Sequence, residues 1–234
     1  MNTILELRNV DYYYQTRASK LEILSSADFS FEQGALYTIK GPSGSGKTTT
    51  LSLLGALELP KKGSILYRDR EIQEIGTTNY RRKHIGFVFQ SFNLLNYLSS
   101  IQNVLVAMDI SKYKNSDRKE KASDLLQSTG LDESLFTRNT NYLSGGEQQR
   151  VAIARAISTG ADIILADEPT GNLDKVTAGE IVKLFDKLAH KDGKCVIVAT
   201  HSDYFNSKTD CIVTLDNKKL KKLRAVASEN RNNR

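Results

Sequence analysis

Residues 41–48 read Gly41-Pro42-Ser43-Gly44-Ser45-Gly46-Lys47-Thr48 and satisfy the pattern G-x-x-x-x-G-K-[ST] at every required position. Such a loop works only between a strand and a helix, so it dictates an α/β unit around itself. Leu36 to Lys40 mix β-branched and aromatic residues as a strand does, and Thr49 to Leu57 is expected to be helical. Glycines allow dihedrals that a Cβ forbids, so consecutive amides can turn inward as an anion nest. Lys47 is then placed to reach the β- and γ-phosphates of a nucleoside triphosphate. The positive end of the helix points at them, and the Thr48 hydroxyl can ligate the accompanying Mg²⁺. A flexible Gly/Ser turn ahead of a helix is the bland alternative, but it needs neither the Lys-Thr pair nor the flanking strand.

At 234 residues the chain can bury a substantial core as one domain, with room for an inserted subdomain. No apolar run approaches the roughly 18 residues that a spanning helix needs. Glu6, Arg8 and Asp11 break up any apolar core of a signal peptide, and the two cysteines, Cys195 and Cys211, sit in strand-like runs. A reducing, cytosolic setting is therefore expected. The net charge of +6 is concentrated at the end of the chain, where Lys218, Lys219, Lys221, Lys222, Arg224, Arg231 and Arg234 face the single Glu229. The body is neutral, which argues against nucleic acid as a partner. Residues 221–234 read as a flexible basic tail, with contact to an acidic lipid surface as the other reading.

Along the chain, strands are expected at Ile4 to Val10, continued by Tyr12-Tyr13-Tyr14, and at Ala27 to Phe31, forming an antiparallel piece. A short strand at Ser64 to Tyr67, a polar helix-like stretch and a buried strand at Ile85 to Phe89 follow the phosphate loop. From about residue 91 to 145 the strand signal fades, and Ile101 to Ala107 and Asp117 to Thr129 look helical, with Gly130 as a stop. The α/β alternation resumes with a helix at Gly146 to Ser158 and a strand at Asp162 to Ala166. Helix Lys175 to His190 and strands Lys194 to Ala199 and Cys211 to Leu215 complete it.

Two further segments carry chemistry. Ile163-Ile164-Leu165-Ala166-Asp167-Glu168 is an apolar strand that delivers two carboxylates at its C-terminal end, where ligands bind in parallel sheets. Alternation along the strand aims them differently. Asp167 suits the surroundings of Mg²⁺, and Glu168 suits a water in line with the γ-phosphate. Leu143-Ser144-Gly145-Gly146-Glu147-Gln148 opens a helix rich in Ala, and its Ser144 hydroxyl with the amides of Gly145 and Gly146 forms a second anion cradle. One nucleotide does not need two cradles in one domain, which suggests that the second serves a nucleotide held by another copy. An ordinary N-capped helix reads the same segment equally well.

Leu143 to Gln148 resembles the LSGGQ-type signature of ABC ATPases, with Glu147 before the Gln. The order of motifs matches that family: phosphate loop, Gln90, signature, Asp167-Glu168, Gly171-Asn172-Leu173-Asp174, and His201 after a strand. The likeness covers roughly residues 4–220. The wording around Gln90 and Glu168 is most similar to the branch serving lipoprotein-release, macrolide and antimicrobial-peptide transporters and a related cell-division switch. The resemblance implies a P-loop NTPase of ABC type, with a mainly parallel sheet core, an antiparallel β subdomain and an inserted α-helical subdomain. It implies an ATPase domain over residues 1–220 that uses ATP and Mg²⁺ and pairs with a second copy and a membrane-spanning permease. Such a subunit would sit on the inner face of the membrane through that permease.

Residue by residue, Gln90 would touch Mg²⁺ or the attacking water, His201 would contact the γ-phosphate, and Glu168 would polarise water. Thr48 and Asp167 would complete the metal site, and Thr49, the next residue, would join the loop in binding the nucleotide. Tyr14 is the candidate for stacking on adenine, with Tyr12 in reserve, although packing explains a tyrosine run about as well. His84 and His190 read as surface residues. Asn96 stands where relatives commonly carry Pro, and Asn141-Tyr142 stand where another polar pair is usual, both in the region expected to meet the permease. Export or release of a substrate is the function implied, and an ATP-driven switch on a membrane sensor or hydrolase activator is the alternative.

Overall fold

The fold was obtained as a computed structural model that describes residues 2–16, 19–113 and 116–225. Strands β1 (Thr3–Gln15) and β2 (Lys20–Glu32) form a long antiparallel hairpin, ahead of β3 (Leu36–Lys40) and helix α1 (Lys47–Leu54). Next come β4 (Lys62–Tyr67), β5 (Arg70–Glu71), α2 (Ile72–Ile75), α3 (Thr77–His84) and β6 (Ile85–Val88). Helices α4 (Ser100–Ile110) and α5 (Arg118–Ser128) make up the inserted region, and α6 (Gly145–Ile157) leads back to β7 (Ile163–Asp167). The chain continues through α7 (Lys175–His190), β8 (Cys195–Ala199), β9 (Cys211–Asp216) and β10 (Lys219–Ala225).

Two sheets result. An antiparallel sheet has the order β2-β1-β4-β5, and a six-stranded sheet has the order β10-β9-β3-β8-β7-β6, parallel except for the β10–β9 pair. The parallel strands read as continuous apolar runs because both of their faces are covered. Ile163, Leu165, Cys195 and Ile197 point to a core shared with α1 and the antiparallel sheet. Their neighbours Ile164, Ala166, Val196 and Val198 point the other way, against α6 and α7. The period-2 alternation of a strand thus builds a three-layer molecule.

The insert has its own core, in which Val104, Met108 and Leu126 pack with Val151 and Ala154 of α6. On another face of the same helix, Ile153 and Ala156 belong to the core beneath the parallel sheet. Helix α6 is therefore the shared wall between insert and body.

Several boundaries differ from the sequence reading. Helix α1 stops at Leu54, because Gly55 takes the C-cap position and leaves no helix to Leu57. Strand β2 begins at Lys20 and not Ala27, since Leu24, Glu22 and Leu21 pair with Tyr12, Tyr13 and Tyr14 of β1 across a bulged register and Ile23 and Leu24 enter the core. Residues 221–225 are not a flexible tail: they lie in β10, where Leu220 is buried and the lysines line a sheet edge that their charge protects from further pairing. Residues 226–234 lie outside the described residues. Among the described residues no helix is long and apolar enough to cross a membrane.

Candidate functional site

The phosphate loop leaves the C-terminal end of β3 and enters α1 at Lys47. Gly46 takes φ 102°, and a Cβ there would stand 2.5 Å from Ile23 Cγ2, so both backbone and space require glycine. Gly44 is also left-handed, at φ 78°. Ser45 donates its backbone N–H to the Pro42 carbonyl at 3.2 Å, which curls the loop over Ser43 and Gly44. The Lys47 ammonium crosses back to the carbonyls of Gly41 and Pro42 at 2.8 and 3.1 Å, inside the loop. Ser45 Oγ is buried with no hydrogen-bond partner among the described residues, a polar atom suited to an anion in the loop. These residues fit a polyphosphate.

Thr48 donates its hydroxyl hydrogen bond to Asp167 Oδ2 at 2.8 Å, joining the start of α1 to the end of β7. Burial raises the pKa of Asp167; the Thr48 hydrogen bond and Lys47 oppose this, and the charge of Glu168 adds to it. A hydroxyl and a carboxylate side by side are the hard oxygen donors that Mg²⁺ prefers, and this ion takes few protein ligands when phosphates supply the rest. Among the described residues there is no cluster of three or more His, Cys, Asp or Glu that would hold a metal by itself.

Glu168 follows the last residue of β7 and has φ 44°, a left-handed conformation that costs a non-glycine residue about 1 kcal/mol or more. Its N–H donates to the Ala199 carbonyl at 2.8 Å. Its carboxylate accepts from Thr200 Oγ1 at 2.7 Å and from the His201 backbone N–H at 3.1 Å, and His201 Nδ1 lies 2.8 Å from it. The Glu168 side chain is 13% exposed while that of His201 is 70% exposed, so the imidazole reaches from the carboxylate out to solvent. Asp167 and Glu168 do point apart, one to the phosphate loop and the other to the end of β8.

Gln90 lies two residues past β6, and its carbonyl accepts from Asn172 Nδ2 at 3.3 Å. Its side-chain Nε2 comes within 3.6 Å of where a Cβ on Gly171 would stand, beside Glu168. Tyr14 is 42% exposed and its hydroxyl shares a hydrogen bond of 3.3 Å with Thr49 Oγ1, beside the loop. Tyr12 is only 2% exposed, so the reserve stacking residue is in the core, edge-on to Tyr14 with ring centroids 5.3 Å apart.

Ser144, Gly145 and Gly146 stand elsewhere. Ser144 is the N-cap of α6: it accepts from Glu147 N–H at 3.4 Å, and Glu147 Oε2 accepts from the Ser144 N–H at 2.7 Å, a reciprocal capping box. A Cβ on Gly146 would meet Thr177 Cγ2 at 2.5 Å, so the first turn of α6 lies tight against that of α7. There Asp174 caps α7 by accepting from Thr177 Oγ1 and from the Val176 and Thr177 amides, which lowers its pKa. Among the described residues no hydrogen bond joins Ser144, Gly145 or Gly146 to residues 41–49.

The sequence reading missed Thr200, which is fully buried and holds Glu168. The available signal was that two adjacent apolar strands end in Asp167-Glu168 and Ala199-Thr200-His201, but their register had to be known. It also placed two histidines on the surface. His84 is half-buried against Tyr67, with ring centroids 4.3 Å apart and Asp162 at 3.3 Å, and His190 bridges Asp186 and Asp210.

The family model described as ABC transporter matches residues 24–171. An uncharacterized ABC transporter ATP-binding protein, YclH, from Bacillus subtilis is 44% identical over 213 residues, covering 91% of this chain and 93% of that protein. The lipoprotein-releasing system ATP-binding protein LolD of Hyphomonas neptunium is 41% identical over 94% of this chain and 97% of its own. Among solved structures, the ATP-binding cassette MJ0796, a protein of Methanocaldococcus jannaschii, as a post-hydrolysis dimer bound to ADP and Pi, superposes with a TM-score of 0.86. It is 36% identical and covers 95% of this chain and 100% of that one. Motif order, site geometry and relatives that span nearly the whole length agree that this chain belongs to the ABC transporter family, as an ATP-binding and ATP-hydrolysing subunit of a transporter.

Proposed function

We propose that residues 1–220, with the insert at about 91–145, form one ATPase domain that binds Mg·ATP in the loop of residues 41–48. It closes head to tail on a second copy, so that two nucleotides are shared across the interface. The cycle drives export or release of a peptide, antibiotic or lipoprotein-class substrate through a membrane-spanning permease, which holds the chain at the inner face of the membrane. The observation that supports this reading is the separation of the two anion cradles: Lys47 bonds back into its own loop and Thr48 is tied to Asp167 of β7, whereas Ser144 opens a helix that, among the described residues, has no hydrogen bond to that loop. The dimeric form of MJ0796, the likeness to LolD, and a likeness to the macrolide export ATP-binding/permease protein MacB of Rhodopseudomonas palustris, 37% identical over 89% of this chain and 32% of that protein, support the pairing and the permease partner.

In this reading Gly41 to Gly46 cradle the phosphates with backbone amides, Lys47 neutralises their charge, and Tyr14 lies under the adenine. Thr48 and Asp167, with Gln90, hold Mg²⁺. When bound, the ion neutralises charge that develops on the phosphate oxygens. Glu168 accepts the proton of the attacking water, and His201 presents its exposed edge to the γ-phosphate while Nδ1 rests on Glu168. Ser144, Gly145 and Gly146 close on the phosphates of the other copy's nucleotide. No nucleic acid partner is part of this reading: residues 1–217 carry no net charge, and the basic run that follows lies along the single edge strand β10.

Glu168→Gln tests the assignment. The variant should retain ATP binding, lose turnover and accumulate as a dimer in ATP by size-exclusion chromatography with light scattering. Turnover at the normal rate would remove Glu168 as the base.

A further inference from the structure

Arg155 lies in the last turn of α6, the helix that Ser144 opens. A long side chain on a helix points back toward the N-terminus, and this one does not end in water. Arg155 Nη1 donates to the Asn93 carbonyl at 2.5 Å and Nη2 donates to the Phe92 carbonyl at 2.8 Å. Burial lowers its pKa, a cost that only well-made hydrogen bonds offset.

The two residues it holds are unusual. Phe92 and Asn93 have φ 58° and 49°, a pair of left-handed non-glycine residues two and three positions after Gln90. Such a turn is strained and persists only where the surroundings determine it. The ring of Phe92 also reaches along α6, with Cζ 3.8 Å from where a Cβ on Gly145 would stand. The turn after Gln90 is thus fastened to α6 near its N-terminus by an aromatic ring and near its C-terminus by a guanidinium fork. Gln90 is fixed on its other side by Asn172, whose segment leads to the Asp174 cap of α7.

We infer that Arg155 is a positioning residue that ties the Gln90 segment to α6, so that a shift of the helix bearing Ser144 repositions the Gln90 side chain at the nucleotide. The inference rests on the roles proposed for Gln90 and Ser144. It adds to them a fixed mechanical link within one chain. A lysine cannot reproduce the link, because it offers a point charge where two carbonyls are met by a rigid fork.

A double-mutant cycle on turnover of the full chain in saturating Mg·ATP tests this, using Gln90→Ala, Arg155→Met and the pair, with thermal unfolding of each. Arg155→Met should lower kcat about tenfold and leave KM within about twofold, as expected for a group acting after nucleotide is bound. The double variant should be no slower than the slower single one, because both changes disable the same element. If the two losses multiply, Arg155 acts independently of Gln90 and the inference fails while the site reading stands. If Gln90→Ala alone leaves kcat unchanged, the role of Gln90 fails and the inference falls with it. Should Arg155→Met not fold, Arg155→Lys replaces it in the same cycle, with an expected loss of about threefold and the same non-additivity.

Discussion

Thr200→Val removes one oxygen from a fully buried site and keeps its shape. Two hydrogen bonds are lost: the one donated to Glu168 Oε2 at 2.7 Å and the one accepted from Ser202 N–H at 3.0 Å. A hydrogen bond to a charged group contributes about 1.5–3 kcal/mol and a neutral one about 1 kcal/mol. Glu168 keeps two donors from His201, so the lower end applies to the first bond. The sum is about 2.5 kcal/mol of stability, which for a chain of this size lowers Tm by about 5–10 °C. Turnover should fall about tenfold, since the carboxylate loses the anchor that sets its orientation and each 1.4 kcal/mol of misplacement is about one decade in rate. KM for ATP should change little, because among the described residues Thr200 makes no hydrogen bond to residues 41–48. Steady-state ATP turnover with differential scanning calorimetry reads both quantities, and Thr200→Ser, which keeps the hydroxyl, should restore both. A Thr200→Val protein that unfolds early but turns over at the normal rate would show that the bond serves the fold and not the carboxylate.

Asp167→Asn should raise Tm at pH 7 while abolishing Mg²⁺-dependent turnover. Because the folded-state pKa of Asp167 is raised, its charge opposes folding above that pKa, and the penalty disappears as pH falls below the unfolded value; the gain in Tm over wild type should therefore vanish in acid. A gain independent of pH would refute the electrostatic cause. Gly146→Ala places a Cβ 2.5 Å from Thr177 Cγ2 and should cost about 1–3 kcal/mol in urea unfolding. Thr177→Ser, which deletes that methyl and keeps the oxygen on Asp174, should recover most of it; no recovery would place the clash elsewhere. Tyr14→Ala should weaken ATP about tenfold in a binding titration, as loss of one stacked base does, with kcat unchanged. Tyr12→Ala should instead lower stability by about 3–5 kcal/mol without selective loss of ATP affinity, because that ring is in the core.

Local chemistry made most of this molecule legible in advance. The phosphate loop, the apolar run ending in Asp167-Glu168 and the capping box at Ser144 are each written within a few consecutive residues. What stayed hidden depends on contacts distant in sequence. Thr200 meets Glu168 only because β7 and β8 are in register with Asp167 opposite Ala199. Strand β10 reads as a solvated basic run until β9 is beside it and Leu220 has a core to enter. The first half of β2 carries Leu21, Ile23 and Leu24 without strict alternation, and its place is set by the tyrosines of β1 through register shifts. Tyr12 and Tyr14 look equivalent in sequence, yet the sheet buries one ring and leaves the other beside Thr49.

The placement of α6 gives the proposed cycle a route from nucleotide binding to movement. Its Val151 and Ala154 belong to the core of the insert, and its Ile153 and Ala156 belong to the core of the body. Close-packed interfaces of this kind shift between discrete arrangements and do not stretch, so a push on Ser144 cannot be absorbed within the helix. Arg150 fixes its middle to Thr129 at the end of α5 and to Glu180 of α7, and Arg155 fixes its end to the turn after Gln90. In the proposed dimer the helix would meet the second nucleotide with its first residues; it meets the insert with one side, and with its last turn it holds the Gln90 segment proposed to face the first nucleotide. A rigid element with those three attachments would relay the proposed closure at one cradle to the other and to the insert, with no need for the sheet itself to deform.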